Sequence, residues 1–184
     1  TDHEKKIVHE IAMLVTRAET RLKEACKELK VLVNQLVEQL RDLMVSYKDN
    51  YLLPRFVLEN ETTLRKIYGK KGFETLLNEL YADGRYLLVF KAAQSYLESQ
   101  YYETARLLFK KATHMNKTDT TAAFLYMFTS ACYFYFKNMF TRSLILAEKA
   151  KHVETDEKVK LTYAEPLNRL ITDVSREIKK KHAH

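Results

Sequence analysis

Six histidines and two cysteines are the residues of this chain best suited to hold a metal or to act as base and nucleophile: His3, His9, His114, His152, His182 and His184, with Cys26 and Cys132. A zinc site draws its ligands from short, characteristic spacings such as H-E-x-x-H or paired C-x-x-C, and none occurs here. Thiolate catalysis by Cys26 with a distant histidine would need both groups brought within hydrogen-bond reach, and no local pattern positions them. Carboxylate pairs such as Glu74 and Glu79 fall on solvent faces of their segment. The run Tyr68-Gly-Lys-Lys-Gly72 mixes glycine and lysine as phosphate loops do. A Walker loop, however, has G-x-x-x-x-G-K-[ST] behind a strand, and neither the spacing nor the strand is present. The sequence therefore nominates no catalytic residue, no metal ligand and no cofactor, and the expectation is a protein that is not an enzyme.

The elements that would carry any surface are helices. Only three Gly and two Pro punctuate 184 residues, too little turn chemistry for a sheet, so the fold class is all-α. This length buries a core without disulfides or metals. Cys26 and Cys132 fall in separate helices among apolar neighbours, which predicts two reduced, buried thiols and an intracellular protein, cytoplasmic or nuclear. The N-terminus is charged and amphipathic, unlike a signal peptide. The net charge of +7 is dispersed in small groups such as Arg65-Lys66, Lys110-Lys111 and Lys179–Lys181. These read as solvated helix faces, so nucleic acid and anionic membrane are the weaker partner classes. Thr120–Phe136 has no charge, but it is at the lower length limit for a span and rich in hydroxyls. It is expected as the central helix of the array, and no transmembrane span is predicted.

From Asp2, expected as a helix cap, to about Lys48 there is neither Gly nor Pro. A row at seven-residue spacing runs Val8, Val15, Leu22, Leu29, Leu36, Leu43. A second row, three residues on, holds Ile11, Ala18, Ala25 and Leu32, then fails at Gln39; a third holds Ala12, Cys26, Val33, Leu40 and Tyr47. This heptad pattern predicts a coiled-coil-type helix over 1–49, with the first row carrying self-association into a homodimer. Unbroken, such a helix would reach about 65–70 Å. It would either project and pair, or bend back along the rest of the chain; the unbroken form is favoured.

Asn50 and Pro54 end that helix and set the main boundary. Residues 50–84 form a connector and helical hairpin: helical over Glu61–Tyr68, a turn over Gly69–Gly72, helical again over Phe73–Tyr81, with Asp83-Gly84 a turn into the array. Residues 85–184 form the array and its cap. Asp119 is placed to cap one helix, Thr155-Asp156 opens the last segment, and Pro166 is expected in the first turn of a terminal capping helix.

Within Tyr86–Val153 small and aromatic residues recur. Ala93, Tyr96, Tyr102, Ala105, Phe109 and Ala112 reappear, 38 residues on, as Ala131, Phe134, Phe140, Ser143, Ala147 and Ala150. This cadence resembles the tetratricopeptide-type repeat, whose helix-turn-helix of about 34 residues asks for small, aromatic, aromatic, Ala, aromatic and Ala in those slots. The family's Trp slot holds Val89, its closing Pro slot holds Lys117, and the fifth slot of the second copy holds Ala. Microtubule-interacting-and-trafficking domains have a similar three-helix arrangement. The resemblance implies stacked antiparallel hairpins whose first helices line a concave face for a peptide or helix. The residues it places there are Tyr86, Lys91 and Gln94 in the first pair and Tyr126 and Thr129 in the second. The function expected is a protein–protein interaction scaffold. The competing readings are a basic domain for nucleic acid or anionic membrane, and the regulatory fragment of a larger kinase or trafficking protein.

Overall fold

The computed structural model describes residues 2–183, and every regular element among them is a helix. They divide into two compact units, one ending at Ser46 and the other beginning at Tyr47.

The first unit is a single helix, α1 (Asp2–Ser46), unbroken over 45 residues. Asp2 is its first helical residue and not a cap. The first residues of the second unit turn on Asn50: its N–H donates to the Tyr47 carbonyl (2.9 Å) and its Oδ1 accepts from the Leu52 N–H (2.9 Å). A side chain that bonds backbone two residues on closes a turn without help from a sheet or helix.

The second unit opens with α2 (Leu53–Glu59), which has Pro54 in its first turn where the missing N–H costs nothing, and α3 (Glu61–Leu80). Inside α3 the expected four-residue turn is compressed into one residue: Gly69 alone leaves helical geometry (φ 73°, ψ 166°), and Lys70–Leu80 continue helical. No atom lies within 4 Å of the Cβ that Gly69 lacks, so glycine serves here for its backbone freedom alone. Gly84, also at positive φ, donates to the Tyr81 carbonyl (2.9 Å) and turns the chain into the array.

The array is α4 (Arg85–Glu98), α5 (Tyr102–Met115), α6 (Thr120–Phe136), α7 (Phe140–Lys151) and α8 (Glu157–His182), each packed on the next, with α2 lying on α4. The hairpins α4/α5 and α6/α7 are joined by the same device. Gln100 (φ 63°) and Asn138 (φ 58°) take the left-handed conformation. Each donates three residues back, to Leu97 and Tyr135, while Tyr101 and Met139 donate five back, to Tyr96 and Phe134. This pair of bonds satisfies the last carbonyls of a helix and reverses the chain.

Small residues meet at the crossings. Ala93, Ala105, Ala131 and Ser143 are fully buried, and the Ser143 hydroxyl donates to the Ala131 carbonyl (2.7 Å), which seats a polar group in the core with its bond made. Phe109, Leu125 and Phe128 fill the space beside them. Asp119 caps α6 as expected, accepting from the Thr121 and Ala122 N–H groups (2.8 and 3.3 Å). Asp156 does the same for α8 with Lys158 and Val159 (2.8 and 3.4 Å).

That cap corrects the expected start of α8. Pro166 sits well inside the helix, on an exposed face, because the Asp156 carboxylate starts the helix ten residues earlier. α6, the uncharged segment, is the central helix, packed by α5, α7 and α8. Among the described residues no helix is long and apolar enough to cross a membrane.

Candidate interaction surfaces

Two surfaces stand out. The first is α1. Every residue from Asp2 to Leu36 is exposed, and the row expected for self-association lies open: Val8 66%, Leu22 67%, Leu29 62% and Leu36 64%, with Val15 and Leu43 also exposed. Cys26, expected to be buried, is exposed. The apolar stripe that surrounds it has no cover in the single chain, so its apolar neighbours do not bury it.

The second is a groove of about 610 Å³ in the array. Its floor comes from α6, which presents Phe128, Cys132 and Tyr135, and its far wall from α8, which presents Leu161, Pro166 and Leu170. Tyr102 of α5 closes one end. The lips are Phe136, 64% exposed and stacked on Tyr102 (centroids 5.4 Å apart, 14° between planes), and Leu161, 77% exposed. The charged residues at the rim are already committed, Glu165 to Arg169 and Asp173 to Arg176. On the floor, burial pushes the Cys132 thiol up to about 12, so it stays a neutral, apolar group at physiological pH. The lining is mixed: Gln100, Thr162 and the paired charges stand beside Phe128, Leu161 and Leu170, so the groove offers apolar anchors among polar groups.

The residues chosen from the sequence fall elsewhere. Thr129 is a correction: it is fully buried, because α6 is flanked by α5, α7 and α8 and buries more than one stripe. Tyr126 is half-buried against the main core. Tyr86 is a structural residue. Its hydroxyl donates to the Asp119 carboxylate, tying α4 to the cap of α6, and burial followed by that bond holds the phenol well above its ordinary pKa. Lys91 and Gln94 line a smaller depression of about 170 Å³ with Tyr51 and Pro54, and the Lys91 ammonium stands over the Tyr81 ring (5.5 Å). The signal for the groove residues was available in Leu161. It lies off the stripe formed by Tyr163, Leu167, Leu170 and Val174, an apolar side chain on a wet face.

At the hinge of α6 and α7, cations rest on rings. Arg106 stands over Tyr133 (4.4 Å), Arg142 over Phe134 (4.2 Å) and Lys181 over Phe140 (4.8 Å). Where α2 meets α4, Arg55 covers Tyr96 (4.2 Å), and the Tyr96 hydroxyl donates to Glu59. At the foot of α3 a charge cluster joins three segments. Glu61 accepts from Arg65 (3.0 Å) and from both terminal nitrogens of Arg85, and Arg65 also donates to Glu74 (2.8 Å). The Arg85 hydrogen bond is the main reason the Glu61 carboxyl lies below its ordinary pKa. These clusters tie helices together.

For chemistry, no group of three or more His, Cys, Asp or Glu able to hold a metal ion occurs among the described residues. His3, His9, His114, His152 and His182 are all exposed, and His184 lies outside the described residues. No family model, no curated protein and no solved structure matches this chain.

Proposed function

We propose that this protein is a non-catalytic interaction module that assembles through α1 and receives an apolar-faced peptide or helix of a second protein in the groove between α6 and α8. The observation that carries the reading is the uncovered stripe on α1. Ten large aliphatic side chains of that stripe between Ile7 and Leu36 lie exposed. They present on the order of 1,000 Å² of apolar surface, against ~800 Å² per partner in a standard stable interface. A soluble chain rarely leaves so large a contiguous patch open.

The groove supports the second half of the reading. It lies on leading helices of the array, where the resemblance to tetratricopeptide-type repeats implies a binding face, and Leu161 and Phe136 offer the exposed anchors that a docking helix needs. The partner class is a protein segment.

The test is the mass of the full chain by light scattering across a concentration series. Wild type is expected to be an oligomer, and Leu22→Glu/Leu29→Glu/Leu36→Glu a monomer whose array remains folded. Each charged side chain would have to be buried unpaired in an assembly, at a cost that no helix pair recovers. A wild-type chain that is monomeric at every concentration overturns the reading.

A further inference from the structure

The rows on α1 look like heptads, but a helix of 3.6 residues per turn moves a seven-residue row about 20° with each step. Over the six members from Val8 to Leu43 the row swings roughly a quarter-turn. The apolar pattern repeats more closely after about five turns, or 18 residues: Leu14 recurs as Leu32, Val15 as Val33 and Leu22 as Leu40. On a regular helix these positions fill one arc of about 120° that does not wander from Ile7 to Leu43. A two-stranded coiled coil covers a narrow seam of two columns, whereas a face at least about 100° wide is the mark of a helix packed against more than one neighbour.

The flanks of the arc differ in charge. One gathers Lys5, Lys23 and Lys30 against a single acid, Glu19; the other balances Glu10 and Glu28 with Arg17 and Arg21. In an antiparallel arrangement related by a two-fold axis, the lysine flank meets itself. In a parallel ring, the flank of one helix meets the opposite flank of the next, so the lysine flank meets a balanced one: Lys5 and Lys30 are nearest Glu10 and Glu28, Glu19 is nearest Arg17 and Arg21, and Lys23 alone stands level with a cation, Arg21. Glu28 and Lys30 then stand about 3 Å apart along the axis. A lipid surface is a poorer cover, because acids interleave with lysines on the polar side and the apolar arc from Ile7 to Leu43 holds no Trp or Phe.

We infer that the cover of α1 is two or more further copies of this chain, packed as a parallel bundle of three or four α1 helices. The inference rests on the reading that α1 mediates assembly and adds its number and orientation.

The experiment uses the full chain carrying Cys26→Ser and Lys6→Cys, spin-labelled at position 6. Cys132, on the floor of the groove, is replaced as well (Cys132→Ala), so that position 6 carries the sole thiol. Sedimentation equilibrium gives the copy number, and dipolar spectroscopy gives the spacing of the labels. Expected are a trimer or tetramer and label separations below about 25 Å, set by neighbouring helix axes 8–10 Å apart. A dimer overturns this inference and leaves assembly through α1 standing. Separations of roughly 40 Å or more mean antiparallel helices and overturn it as well. A monomer overturns both, and a monomer that pellets with vesicles of anionic phospholipid makes lipid the cover.

Discussion

Glu61 is the residue at which ordinary solution conditions reach the fold. Its carboxylate receives Arg85 and Arg65 and so joins the start of α3 to the start of α4. Its pKa in the folded protein is lowered, first by the Arg85 hydrogen bond. The stabilisation is therefore fully present above the unfolded value, ~4.3, and is lost as pH falls through the depressed folded value. Glu61→Gln is expected to cost about 1 kcal/mol at pH 7, the magnitude suited to a partly exposed pair. Urea unfolding of wild type and variant should converge only as pH falls past the depressed folded pKa of Glu61, and a gap that persists in stronger acid would rule out the ionised carboxylate as its source. The sequence announces only the Glu61–Arg65 part of this cluster, four residues apart on one helix; Glu74 and Arg85 join it only through the Gly69 kink and the Gly84 turn.

Helix boundaries were more legible than helix surroundings. Asp119, Asp83-Gly84 and Asn50 carry their instructions in their own side chains and backbone, so each could be read one residue at a time. Pro166 misled because a proline is tolerated inside a helix when a stronger start signal, Asp156, lies upstream. The seven-residue rows of α1 announced an unbroken helix, since seven residues are nearly two turns and an apolar row at that spacing stays on one side over a few repeats.

The two hairpin turns can be tested directly. Gln100 holds a left-handed conformation that costs an ordinary residue about 1 kcal/mol. Gln100→Gly is expected to raise the urea midpoint by the equivalent of about 0.5–1 kcal/mol. Asn138→Gly should gain less, since asparagine tolerates that region. Loss of stability at Gln100→Gly would mean that the side chain does more than turn the chain.

Taken whole, the protein carries a charge of +7, and the groove between α6 and α8 sets apolar anchors among polar groups with its rim charges paired to each other. Partners drawn by the net charge and partners drawn by the groove differ in their response to salt. Peptides selected from a library on the full chain are expected to carry apolar side chains at helical spacing. Their affinity should change less than about threefold between roughly 50 and 200 mM salt and be lost in Leu161→Asp; a fall of about 10³ or more over that range is the signature of phosphate neutralisation. The all-helical class, the long first helix and the paired helices behind it were readable from periodicity and from the scarcity of Gly and Pro. Of the groove only the exposed Leu161 could be read in advance, because which residues of α6 and α5 stand opposite it is a relation between helices that local pattern does not encode.

The capping aspartates Asp119 and Asp156 stand 37 residues apart, close to the 38-residue step between Gln100 and Asn138. α8 thus occupies the station of a third leading helix. α4, α6 and α8 follow one another at a near-constant stride of chain, so an insertion of a few residues inside a pair would break the cadence for every helix after it.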